Sequence, residues 1–222
     1  AEEHFVTSPF VDSHFHMDAT LSYGLPRINQ SGTLLEGINL WGELKKDLTP
    51  DAIKDRARKL CKWSIARGTL GIRTHVDISG DNLMAVEALL DIKNEMKEFL
   101  DIQLVAFPQD GLYRANCIDN LRISLELGVD VVGGIPHFER TMADGAASIT
   151  TLCEIAEKKG LLVDMHCDES DDPLSRHVEN LAKETTRLGL EGRVAGSHLT
   201  SMHSMDNYYF SKLIALLVEA DL

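Results

Sequence analysis

Leu161-Leu162-Val163-Asp164-Met165-His166 is a short apolar run that ends on a histidine. Runs of the same kind recur along the chain. Gly71 to Thr74 leads into His75, Ile102 to Phe107 into Gln109, Val129 to Ile135 into His137, and Arg193 to Ser197 into His198. An earlier one, Pro9 to Ser13, leads into His14. They are rich in Val, Ile and Leu and do not alternate strictly, as strands buried on both faces do not. The polar residues that close them, from His75 to His198, are spaced 34, 28, 29 and 32 residues apart. That interval fits one strand and one crossover helix, repeated.

Amphipathic stretches fill the gaps. They run from Thr49-Pro50 to Arg67, Asp81 to Leu100, Asp119 to Leu127, Ala146 to Lys159, Asp172 to Leu188 and His203 to Ala220. Gly68, Gly128 and Gly160 stand where a glycine ends a helix. The first interval, His16 to His75, is 59 residues, so an insertion occupies residues 18–48. Its Gly24, Pro26, Asn29, Ser31 and Gly32 read as a loop over an active site.

Two architectures accommodate this series: a doubly wound open sheet and a (β/α)8 barrel. No GxGxxG turn or P-loop follows the first strand, which counts against the nucleotide-binding sheet. Polar residues instead close nearly every strand at its C-terminal end, the face that carries barrel active sites. The predicted fold is α/β, a (β/α)8 TIM barrel of the metal-dependent hydrolase type. It is incomplete, with about six βα units over residues 1–222. Two further strands are expected beyond Leu222.

Composition narrows the partners. Lys and Arg number 22 against 35 Asp and Glu, a formal charge of −13, and no basic stripe is present to meet a phosphate backbone. No apolar run reaches the roughly 18–20 residues that span a bilayer. Cys61, Cys117, Cys153 and Cys167 form no CxxC pair and read as reduced, buried thiols of a cytoplasmic protein. The opening Ala1-Glu2-Glu3-His4 has neither the basic nor the apolar region of a signal peptide.

The chemistry begins at Asp12-Ser13-His14-Phe15-His16-Met17-Asp18. Side chains alternate along a strand, so His14 and His16 point to one side and offer two imidazoles to a divalent metal. His166 and His198 close later strands, and a barrel brings strand ends to one mouth. Imidazole with carboxylate suits zinc or iron, with one coordination position left for water. Glu169, three residues after His166, is a carboxylate placed to move protons. His75 and Asp77 read as supporting residues behind the ligands. His177 and His203 read as ordinary surface or helix residues. The acidic run Asp168-Glu169-Ser170-Asp171-Asp172, Glu169 apart, reads as a solvated turn before a helix N-terminus.

These segments carry a resemblance. His14-Phe15-His16-Met17-Asp18, Asn29-Gln30-Ser31-Gly32-Thr33-Leu34, Arg73-Thr74-His75-Val76-Asp77 and Ala106-Phe107-Pro108-Gln109 are four of them. Gly134-Ile135-Pro136-His137-Phe138-Glu139, His166-Cys167-Asp168-Glu169 and Ser197-His198 complete the set. Over essentially its whole length the chain resembles the amidohydrolase superfamily, and within it the bacterial cytosine deaminase group.

The resemblance implies a barrel with a small flanking β domain and one divalent metal, zinc or iron. His14, His16 and His166 match the metal-binding histidines, and an aspartate on strand eight completes them. The metal-bridging lysine of binuclear members has no counterpart on strand four. Glu169 matches the carboxylate that moves a proton onto the ring nitrogen, and His198 the histidine that assists catalysis. Gln109 matches a residue that binds the ring's amide edge, and Leu34 lies in the segment that walls the pocket. The implied activity is hydrolytic deamination of cytosine or a related cyclic amidine, with release of ammonia. Cleavage of an N-alkylamine or ring amide from a triazine-like or creatinine-like heterocycle is the alternative, and a non-catalytic binding barrel a third reading. The implied partner is a small neutral heterocycle, neither nucleic acid nor membrane, and the full-length protein is expected to be a homo-oligomer. Without the strand-eight aspartate, this segment alone is expected to be inactive.

Overall fold

Thr49-Pro50 starts a helix for two local reasons: the Thr49 side chain accepts a hydrogen bond from the Ala52 amide, and proline at the first turn needs no donor. The computed structural model describes Glu3 and residues 5–222, and it resolves helix and strand much as the periodicity requires. The strands are β1 (Phe10–Phe15), β2 (Thr69–Asp77), β3 (Asp101–Phe107), β4 (Val131–Gly134), β5 (Leu162–Cys167) and β6 (Val194–His198). The helices are α1 (Leu34–Leu44), α2 (Pro50–Ala66), α3 (Met84–Met96) and α4 (Cys117–Leu127), followed by α5 (Met142–Lys159), α6 (His177–Leu188) and α7 (Asn207–Glu219). His4 lies outside the described residues.

The strands form one sheet in the order β1-β2-β3-β4-β5-β6, and the β1/β2, β3/β4, β4/β5 and β5/β6 pairs are parallel. A doubly wound sheet reverses its order at a switch point; this one does not. In-order parallel strands with intervening helices are the pattern of a (β/α)8 barrel, here carried through six βα units. Among the described residues no helix is long and apolar enough to cross a membrane.

Two compact units divide the chain: residues 1–76 with 84–103, and residues 77–83 with 104–222. In the first, α2 buries Ile53, Ala57 and Cys61, one residue per turn, and α3 buries Val86, Leu89, Ile92 and Met96. The two helices pack together and are crossed on their exposed side by Lys54–Asp91 at 2.6 Å and Arg58–Glu95 at 2.7 Å. Such surface pairs contribute about 0–1 kcal/mol each, so the buried stripe holds the helices.

The insertion over residues 18–48 is not all loop, because it contains α1. Thr33 caps that helix by accepting from the Glu36 amide. The Glu36 carboxylate turns outward, accepting from the Ser31 amide at 2.6 Å and from Arg27 at 2.8 Å, while Arg27 also reaches Glu43 at 2.9 Å.

In the second unit β5 registers against β4 through Val131↔Leu162 to Gly134↔Met165, and against β6 through Val163↔Val194 to Cys167↔His198. All four residues of β4 are buried. Gly133 has to be glycine, since a Cβ there would lie 2.4 Å from the Ala106 carbonyl oxygen of β3. Gly128, Gly160 and Gly189 end α4, α5 and α6 in the left-handed conformation, the first two where the sequence placed them. The four cysteines are free and buried, as expected.

His137 follows β4 in a short 3-10 turn, Pro136–Phe138. Burial, the largest influence, pushes its imidazole down to about 4 from the ordinary 6.5.

Two outcomes follow from this packing. Gly133→Ala overpacks β3 against β4 and should lower unfolding stability by about 1–3 kcal/mol, read from urea melts; an unchanged midpoint would contradict the close approach. The unfolded chain takes up the His137 proton below pH 6.5, whereas the folded one stays neutral until about pH 4. Stability therefore falls as pH drops through that window, and His137→Gln should flatten that part of the melting-temperature profile.

Candidate metal centre and proton-transfer groups

Apart from Leu34, each candidate side chain sits at or just past the carboxyl end of a strand. His14 is in β1, His16 one residue beyond it, and His75 in β2. His166 is in β5, His198 ends β6, and Gln109 and Glu169 follow β3 and β5 by two residues.

In the first unit three imidazoles meet. The ring centroids of His14 and His16 are 5.4 Å apart, those of His14 and His75 4.5 Å, and those of His16 and His75 5.1 Å. Their potential ligand atoms lie within 4.8 Å of one another. The pair on β1 converges because the two residues are separated by one, as alternation requires. His75 is fully buried, and its Nδ1 is 3.3 Å from the Phe15 carbonyl oxygen. A carbonyl only accepts, so this contact assigns the proton to Nδ1 and leaves the lone pair on Nε2.

The strand ends are held in place independently of any ion. The Met17 amide donates to Thr74 Oγ1 at 2.7 Å, tying the end of β1 to β2. Arg56 of α2 donates to the carbonyls of Asp18 and Thr20, both at 2.9 Å. Asp77 accepts from the Ser79 amide at 2.7 Å and shapes the turn after β2. The sequence reading gave His75 a supporting place; the structure brings its ring into the cluster itself.

In the second unit His166 is 4% exposed and stacks on Phe107 of β3, with centroids 4.1 Å apart and planes inclined by 27°. The His198 ring lies 4.9 Å away, although the β5/β6 register pairs His166 with Ser197 and His198 with Cys167. Glu169 Oε1 is 3.8 Å from His198 Nε2. Burial raises the Glu169 carboxyl above its usual range, and His198 opposes that rise. A carboxyl raised in this way is protonated more of the time than a solvated one, so it has a proton to deliver, although it holds that proton more tightly. Backbone conformation is unusual here: Asp168, His198 and Leu199 have φ of 53°, 75° and 52°. Non-glycine residues rarely occupy that region, and where they do the surrounding structure must hold them.

The Gln109 backbone N–H donates to the Phe107 carbonyl at 2.9 Å. Leu34 opens α1 and is 52% exposed.

Two residues depart from the sequence reading. Asp168 is no solvated turn residue: it is fully buried and accepts from Ser175 Oγ, the His177 amide, His177 Nδ1 and the Val178 amide at 2.7–3.0 Å. Burial alone would raise its carboxyl, but these donors override it and bring it down to about 2. His177 does lie in a helix, where it opens α6, but it is no surface residue, being 2% exposed.

Comparison with known proteins identifies the family. The model of the Amidohydrolase family matches residues 1–222. N-isopropylammelide isopropyl amidohydrolase of Pseudomonas sp. (strain ADP) is 32% identical over 209 residues, covering 89% of this chain and 50% of that protein. The crystal structure of 5-methylcytosine deaminase from Klebsiella pneumoniae, liganded with phosphonocytosine, superposes with a TM-score of 0.94 at 44% identity. That match covers 96% of this chain and 52% of the other. The structure of N-isopropylammelide isopropylaminohydrolase from Burkholderia multivorans gives a TM-score of 0.79 at 25% identity, covering 96% and 54%. The chain thus spans about half the length of the relatives it matches. It belongs to the amidohydrolase family.

Proposed function

We propose that the protein of which these residues form part is a metal-dependent aminohydrolase that deaminates cytosine or a ring-substituted cytosine. The observation that carries this reading is the 44% identity, over 96% of the chain, to a 5-methylcytosine deaminase. The reaction adds water across the amino-bearing carbon C4 and expels ammonia. The water oxygen ends on C4, one of its protons on ring nitrogen N3 and the other on the departing amine.

The imidazoles of His14, His16 and His75 suit a divalent cation by donor type and mutual reach. In this reading His14, His16 and His166 hold one such ion, zinc or iron, with His75 beside them. When bound, the ion supplies Lewis acidity and lowers the pKa of water from about 15.7 towards about 7.

The remaining steps belong to the chain's own groups. Glu169 delivers a proton to N3, which takes the double-bond character out of the adjacent C–N bond and opens C4 to attack. His198, close to Glu169, orients the attacking water and steadies the developing charge. Gln109 offers an amide donor and acceptor to the N–H and C=O edge of the ring. Leu34 contributes apolar wall from the insertion. A neutral substrate is compatible with the chain's charge of −13.

The 32% identity to N-isopropylammelide isopropyl amidohydrolase favours a second reading, in which the leaving group is an alkylamine on a triazine ring. Both use the same proton transfer and differ in the group expelled.

Assay of the intact protein against cytosine, 5-methylcytosine and an N-alkylaminotriazine separates the two, with ammonia expected from the first pair. Release of alkylamine alone would replace the first reading by the second. Glu169→Gln should lower kcat by about 10²- to 10⁴-fold with bound metal unchanged, whereas His166→Ala should lose metal. Near-normal turnover by Glu169→Gln would overturn the proton-transfer role.

A further inference from the structure

We propose that Asp168 is a positioning residue that fixes Glu169 against His198, so that the proton carrier is held by a buried carboxylate and not by its own surface loop. The inference rests on the proton-transfer reading of Glu169 given above. Asp168 itself reaches no substrate; it acts through its neighbour.

Two segments converge on this residue. Its Oδ1 accepts from Ser175 Oγ at 2.7 Å, the His177 amide at 3.0 Å and His177 Nδ1 at 2.9 Å, and its Oδ2 from the Val178 amide at 2.8 Å. The carboxylate therefore occupies the N-terminus of α6, where free amides and the helix dipole favour negative charge. Its carbonyl oxygen accepts from the Ser201 amide at 3.1 Å and from Thr200 Oγ1 at 3.2 Å, in the turn after β6. One residue earlier, the Cys167 carbonyl accepts from the Leu199 amide at 3.0 Å. The carbonyls of the two residues before Glu169 are thus bonded to Leu199, Thr200 and Ser201, the three residues that follow His198.

The left-handed φ of 53° at Asp168 turns the chain out of β5 at this point. For an aspartate that conformation persists only where other contacts hold it, and here the side chain and the carbonyl both do. The result is that Glu169 departs from a fixed backbone, 3.8 Å from His198 at its carboxyl end. His177 completes the anchor. Its ring is buried against α5, where a Cβ on Gly145 would come within 2.3 Å of Nε2, so the imidazole that bonds Asp168 is itself immobilised.

Asp168→Asn is the sharpest variant. It keeps volume and the backbone carbonyl, but an amide nitrogen then confronts the donors that the carboxylate accepted. In the intact protein, turnover is followed by whichever amine the substrate releases. Asp168→Asn should lower kcat by about 10- to 100-fold with KM changed less than about threefold, the pattern of a lost transition-state contact. Metal content should stay at the wild-type level. Amide exchange over residues 169–178 should quicken, which reports the anchor without reference to any substrate.

The decisive comparison is with Glu169→Gln. If Asp168 acts through Glu169, the double variant is no slower than Glu169→Gln alone; independent roles multiply. Multiplied losses, or faster exchange with kcat intact, would overturn the positioning role. Should Asp168→Asn fail to fold, Ser175→Ala removes one donor and should show the same non-additivity, with a smaller fall in kcat. Full activity of Glu169→Gln overturns the proton-transfer reading by itself. A loss in Asp168→Asn that is matched in size in the Glu169→Gln background overturns only the positioning.

Discussion

Parallel pairing of β1 with β2 in one unit, and of β3 through β6 in turn in the other, places the carboxyl ends of neighbouring strands on one edge, and the chemistry of each unit depends on that placement. Residues separated by scores of positions become candidates for one site only because each ends a strand running the same way. The chain spends little on specifying the site beyond this. One residue per strand end suffices, and two on β1 because alternation returns His16 to the side of His14. The insertion and the turns then adjust what the strands have already positioned.

Much of the fold could be read from spacing. The strand ends stood out because each closes an apolar run with a polar residue, and a repeat of about thirty residues admits few topologies. α1 was less visible within the insertion, since its glycines, proline and asparagine drew attention to the loop that precedes it. The signal was nonetheless present: Thr33 followed three residues later by Glu36 is the pattern of a helix start. Glu36 uses it differently from a capping box, bonding Ser31 and Arg27.

The site was legible in part. His14, His16, His166 and His198 could be singled out from the strand pattern, because a histidine ending a buried strand is conspicuous. Asp168 and His177 could not. Within Asp168-Glu169-Ser170-Asp171-Asp172 nothing local distinguishes the buried carboxylate from the solvated ones. The distinction is made by donors from Ser175, His177 and Val178, which arrive only when α6 starts where it does. The sequence reading began that helix at Asp172, five residues too early, and so treated the bonded turn as helix and solvent. The partner of His75 could not be read either: its ring is fixed by a carbonyl on the neighbouring strand, which no spacing rule reveals.

The segment around α1 differs from the sheet in the distance over which it closes. Arg27 meets partners nine and sixteen residues away, at Glu36 and Glu43. Each parallel strand pair must instead bring together stretches separated by a whole helix. Short-range closure costs less chain entropy and takes place on the order of microseconds or faster, whereas distant strand pairing is slower. The loop before α1 therefore closes on its helix over a short span of chain, at a smaller entropic cost than any strand pair in the sheet.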